Sequence, residues 1–128
     1  MRKIRWGSER GAAAVEFALV FPLLVLVLFG IVEFGSIFNA QLMLTSAARE
    51  GARSMAIGGD VATAKALLVG AAVGLSPAVT AANVTITPAA CAANTNVTVL
   101  VSYDKPFLTG LFGTSITLTG EATRRCNG

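Results

Sequence analysis

A single carboxylate, Glu16, stands five residues past Gly11 at the head of a long apolar run, and no other charge follows until Glu33. An isolated acidic side chain in a membrane-ready helix is costly, so its position asks for a partner. Hydrolysis of the peptide bond after Gly11 would supply one, because it would leave a new ammonium on Ala12, one helical turn before Glu16. Helical side chains lean toward the N-terminus, so the carboxylate points back at residues 12 and 13. It can meet the amine of its own chain or that of a neighbouring subunit, and both contacts gain from the positive end of the helix dipole. Such pairing offsets the about 1–3 kcal/mol that a charge costs near the bilayer edge. A second reading stays open on geometry alone, in which Glu16 sits in the headgroup zone and pairs with Arg10 or water.

Little else in the chain could do chemistry. The 128 residues contain no histidine, so no Ser–His or Cys–His pair can form, and no glycine-rich phosphate loop follows a strand. Glu16 and Glu33 lie about 25 Å apart along one helix, too far for an acid/base pair within a chain. The chain reads as not an enzyme, with no cofactor and no metal.

The elements that must position Glu16 are legible from charge and hydropathy. Mean hydropathy is +0.69, with 54% hydrophobic and 13% charged residues, which describes one membrane-anchored unit rather than a soluble domain. Arg2, Lys3, Arg5 and Arg10 against Glu9 leave the first eleven residues at +3, and the remaining six basic and six acidic groups cancel. Positive charge just before an apolar run orients a span with its N-terminus in the cytoplasm. Without an aromatic platform beyond Trp6, it does not describe a nucleic-acid surface. Residues 17–32 carry no charge, and counting from Ala12 gives about 31 Å of helix, close to one bilayer core. A cleaved secretory signal would end in small residues, whereas this run ends Glu33-Phe34-Gly35-Ser36 and continues in helical pattern to about Met55. Within it, Pro22 removes one backbone hydrogen bond; it reads either as a functional kink or as a tolerated bend.

Beyond the membrane, Phe34, Ile37, Phe38, Ala48, Ala52 and Met55 are assigned to one helical side, with Asn39, Ser46, Glu50 and Arg53 opposite or flanking. That stripe is expected to pack on the chain's own head. Gly58-Gly59 ends the helix and Asp60 caps a second one running to about Val73. This short apolar segment contains Lys65 and reads as a packed surface helix rather than a second span; Gly70 and Gly74 permit a close contact there. Period-two, β-branched patterns at 83–87, 96–103 and 115–125 then predict three strands, with 89–96 and 104–113 as loops. Alternating threonines on these strands read as the solvent face of a sheet. Two Asn-Val-Thr triplets, at Asn83 and Asn96, fit a glycosylation pattern but read as polar strand starts. Cys91 and Cys126 both fall in the exported part, where oxidation is permitted; a disulfide is favoured over metal ligation by two thiols far apart. The fold class is thus α+β: a long N-terminal helix packed on a small head with a second helix and a three-stranded antiparallel sheet.

The string RGAAAVEFALVFPLLVLVLFGIVEFGSIFNAQLMLTSAAREGAR, residues 10–53, resembles the TadE-like minor pilins, or pseudopilins, of the tight adherence (Flp-type) pilus system. The features that carry the resemblance are a basic leader, Gly11 at a cleavage point, Glu16 followed by the aromatic Phe17, Pro22 soon after, and the Ala/Arg-rich stretch 47–53. It implies a type IV pilin-like architecture: a cytoplasmic leader at 1–11, a long helix at 12–57 that spans the membrane over about 12–32, and a head at 58–128. It implies cleavage between Gly11 and Ala12 by a prepilin peptidase, and assembly through Glu16, Phe17 and Pro22. The implied partners are that peptidase, the major Flp-type pilin, sibling TadF/TadG-like minor pilins and the inner-membrane assembly platform. The implied place is the bacterial inner membrane, with the C-terminus periplasmic, or an extracellular pilus after assembly. The alternatives are a permanently anchored single-pass envelope protein with a protein-binding head, and a pseudopilin of a secretion apparatus.

Overall fold

The computed structural model describes residues 8–127, so the predicted leader residues Arg2, Lys3, Arg5 and Trp6 lie outside the described residues. The chain divides into two compact units, Met1–Phe34 and Gly35–Gly128. Helix α1, Ser8–Ala56, runs from the first into the second.

In the first unit, α1 is a rod whose apolar side chains are almost all exposed, from Val15 through Val32. It is long and apolar enough to cross a membrane. Helix is the one local structure that satisfies every backbone donor and acceptor within a segment, as a lipid surround requires. Pro22 does not end it: α1 continues to Ala56, the missing N–H costing only the bond that the Ala18 carbonyl would have accepted.

The second unit is an α+β head built on the last third of α1. Leu44, Ala47, Ala48, Ala52 and Met55 are buried along one stripe, begun by Ala40 and the half-buried Ile37. Phe34 and Phe38, expected on that stripe, are instead exposed, because the buried side follows Leu44 and the small residues at 40, 47, 48, 51 and 52 and the two rings fall outside that arc. Gly58, with φ of 93°, takes the chain off the helix, while the N–H of Gly59 reaches the Ser54 carbonyl at 2.9 Å. Helix α2, Val61–Ala71, starts at Asp60, whose Oδ1 accepts the Thr63 N–H, and buries Ala64 and Leu68. It ends short of Val73, since the Ala72 N–H already bonds back to Leu68 and Val69 and Gly74 follows at φ of 97°.

Strands β1 (Val84–Thr87), β2 (Asn96–Pro106) and β3 (Ser115–Arg125) form an antiparallel sheet in the order β1-β2-β3. Asn83 belongs to a 3-10 turn rather than to β1; its Oδ1 accepts from the N–H and the hydroxyl of Thr80. The middle strand also runs three residues further than its hydrophobic pattern suggested. Asp104, Lys105 and Pro106 pair with Thr117, Ile116 and Ser115, and the Thr117 hydroxyl donates to Asp104 Oδ1 at 2.6 Å. Proline at a strand's last position forfeits no interior ladder bond, which is why a turn-like tripeptide still extends the strand. Val97, Val99, Val101 and Tyr103 face the core, and Thr98 and Thr123 share a hydroxyl hydrogen bond of 3.0 Å on the outer face. The Tyr103 hydroxyl donates to the Pro77 carbonyl at 2.6 Å, and burial pushes its phenol pKa up.

Candidate processing and assembly segment

The residues picked out for processing and assembly, Gly11 to Pro22, all lie within the first fifteen residues of α1. Gly11 and Ala12 are the fourth and fifth residues of α1, where the orphan donors of the helix start give way to i→i−4 hydrogen bonds. The bond between them is therefore already helical, but glycine weakens a helix by about 1 kcal/mol relative to alanine, so unwinding this end is cheap. A β-carbon added at Gly11 would meet no atom within 4 Å. Among the described residues nothing requires glycine at that position.

Helical spacing puts Ala12 and Glu16 at i and i+4, neighbours on one face with β-carbons about 6 Å apart. Both are exposed, so the amine that cleavage would create and the carboxylate have open room to meet within a chain or across to a second one. Phe17 stacks on Phe21 at a ring-centroid distance of 5.4 Å, with both rings exposed. Pro22 follows one residue later. The segment thus displays one carboxylate and a pair of rings on an otherwise aliphatic rod.

Away from the rod, the head's fixed points are structural. Cys91 and Cys126 are joined in a disulfide with their α-carbons 5.6 Å apart, tying the loop before β2 to the residue after β3. The Cys126 N–H also bonds to the Thr95 carbonyl at 2.8 Å and the Asn127 N–H to the Ala56 carbonyl at 3.2 Å, so the chain end is pinned to loop and helix alike. Hydrogen bonding, chiefly from the Thr63 side chain, holds the Asp60 carboxyl below its ordinary value. Among the described residues no cluster of three or more His, Cys, Asp or Glu could hold a metal ion.

Two features went unread in the sequence. Glu33 is only 2% exposed although Val32 and Phe34 on either side of it face outward. The signal was there in its spacing, since 33, 37, 40 and 44 recur at helical intervals. The other is the contact of β3 with α1: Gln41 Nε2 donates to the Thr119 carbonyl at 2.7 Å, and Gly120 lies against the Leu44 backbone. Only the glycine inside the strand pattern of β3 hinted at so close an approach.

Compared with known proteins, residues 11–53 match the family model described as TadE-like protein. No curated protein and no solved structure matches the chain.

Proposed function

From a TadE-like segment at residues 11–53, which associates the chain with the tight adherence pilus system, we propose that this protein is a minor pilin-like structural subunit needed to assemble or initiate that pilus. In this reading residues 1–11 form a cytoplasmic leader, α1 holds the protein in the inner membrane, and the head faces the periplasm. A prepilin peptidase cuts after Gly11. The new ammonium on Ala12 then meets Glu16, preferably the Glu16 of an adjacent subunit, so that the carboxylate sets the register of packing. Phe17 adds ring contact beside it, and the bend permitted by Pro22 eases the passage from bilayer to filament. The major Flp-type pilin, TadF/TadG-like siblings and the assembly platform are the partners.

One observation carries the proposal. Between Gly11 and Val32, where α1 is otherwise uncharged and almost wholly exposed, the lone carboxylate of Glu16 lies one turn from the residue that cleavage would make N-terminal. A charge pair in low dielectric is strongly favoured once both ions are present, and leaving one of them unpaired there is what costs most. Glu16→Ala should therefore be processed normally yet fail to enter filaments, read by immunoblot of sheared pili beside the membrane fraction. Normal incorporation of that variant would remove the register role from Glu16.

A further inference from the structure

The hairpin between β2 and β3 projects from one particular end of Gly35–Gly128. At the far end, Asn127 bonds to Ala56; in the middle, Thr119 bonds to Gln41 and Gly120 abuts Leu44. Strand β3 therefore runs antiparallel to α1, and its start at Ser115 lies further still toward Gly35. The hairpin tip, residues 107–114, continues in that direction. It lies at the end of the unit from which the chain enters the apolar run.

The composition of the tip fits that place. Its sequence is FLTGLFGT, and the fifteen residues 106–120, between Lys105 and Glu121, carry no charge. Leu108, Leu111 and Phe112 are 59%, 58% and 51% exposed, and Ile116 beside them is exposed as well. The tip is a built structure: Phe107 and Phe112 lie with their rings 6.5 Å apart, and the Phe107 N–H donates to the Thr114 carbonyl at 3.1 Å. Exposed loop tips are ordinarily polar, and an ordered apolar one marks a contact surface.

We propose that this tip is a second membrane contact, seated in the headgroup and upper acyl layer of the bilayer that α1 enters. The occupant is a phospholipid surface. Aliphatic and aromatic side chains supply the inserted part, the hydroxyls of Thr109, Thr114 and Ser115 suit the hydrated headgroups, and the absence of charge removes the main cost of insertion. The proposal rests on α1 being a membrane anchor. Held at two points, the head would stand in a fixed orientation on the membrane, and leaving the bilayer would uncover the tip.

The test uses the full chain in vesicles of phosphatidylethanolamine and phosphatidylglycerol. Trp6 is the only tryptophan, so Trp6→Phe gives a dark background. Into it go Phe112→Trp, Leu111→Trp as an independent tip probe, Ala93→Trp in the exposed loop before β2, and Leu24→Trp in the apolar run. Lipids brominated near the glycerol end of the acyl chain should roughly halve the emission of both tip probes, as expected for side chains about 5–10 Å into the interface, and leave the Ala93→Trp probe unchanged. Tip probes quenched by aqueous iodide and untouched by bromolipid would overturn the proposal in favour of a water-exposed loop. Tip probes reached by neither quencher would overturn it in favour of a protein partner, a second copy included. If Leu24→Trp is lipid-quenched while the tip is not, the tip proposal alone falls; if none of the probes is quenched by lipid, the anchor reading falls and takes the proposal with it.

Discussion

A β-carbon built on Gly120 would lie 2.5 Å from the carbonyl oxygen of Leu44, so strand β3 and helix α1 touch backbone to backbone at this point. The stripe of Ala40, Ala47, Ala48, Gly51 and Ala52 is what lets the sheet come so near, and Gln41 clips the same stretch through the Thr119 carbonyl. Backbone cannot swing away as a flexible side chain can. Gly120→Ala must push the strand from the helix, and overpacking of this kind costs about 1–3 kcal/mol. Denaturant unfolding of the detergent-solubilised chain should show that loss, whereas Gly70→Ala, at a helical position with open space, should show none or a slight gain.

The disulfide closes a loop with a sequence separation of 35 residues in a head whose core is small. Chain-entropy arithmetic gives about 3–4 kcal/mol for a loop of this length. Paired Cys91→Ser and Cys126→Ser substitutions should therefore lower the melting temperature of the head markedly, and a reductant should do the same to the parent chain. Equal melting curves with and without reductant would show that the bridge contributes nothing.

Acid should weaken the start of α2 in a defined way. The Asp60 carboxyl titrates below its ordinary 3.8 in the folded chain, so its cap is fully present above that value and is lost as pH falls through the lower folded-state value. Amide exchange at Val61, Ala62 and Thr63 should accelerate, relative to Asp60→Asn measured at the same pH, only below about pH 4. An identical acid response in Asp60→Asn would place the sensitive group elsewhere.

Much of this architecture could be read from residue types. Sixteen uncharged residues in a row give helix α1 the length and hydropathy to cross a membrane, and Val97, Val99 and Val101 at every second position mark the face of β2 that turns inward. What escaped reading depended on partners distant in sequence. Phe34 and Phe38 are large and apolar and were assigned to the core, but the sheet packs closely only where α1 presents small side chains, so alanines won the buried arc. Asp104, Lys105 and Pro106 carry turn chemistry, yet pairing with residues 115–117 overrides it. For the segment around Glu16 the spacing is visible because it is local: Gly11, Ala12, Glu16 and Phe17 fall within two turns of a single helix, and no tertiary contact is needed to relate them.

In the proposed function, cleavage makes Ala12 the N-terminal residue and gives Glu16 its ammonium partner. Intact-mass measurement of the protein from membranes of pilus-forming cells, with and without the prepilin peptidase, tests it most directly. The expected result is a chain lacking residues 1–11 and beginning at Ala12 when the peptidase is present, and the full chain when it is absent. A mass that still includes Arg10 and Gly11 in piliated, peptidase-containing cells would contradict it and leave a permanently anchored envelope protein.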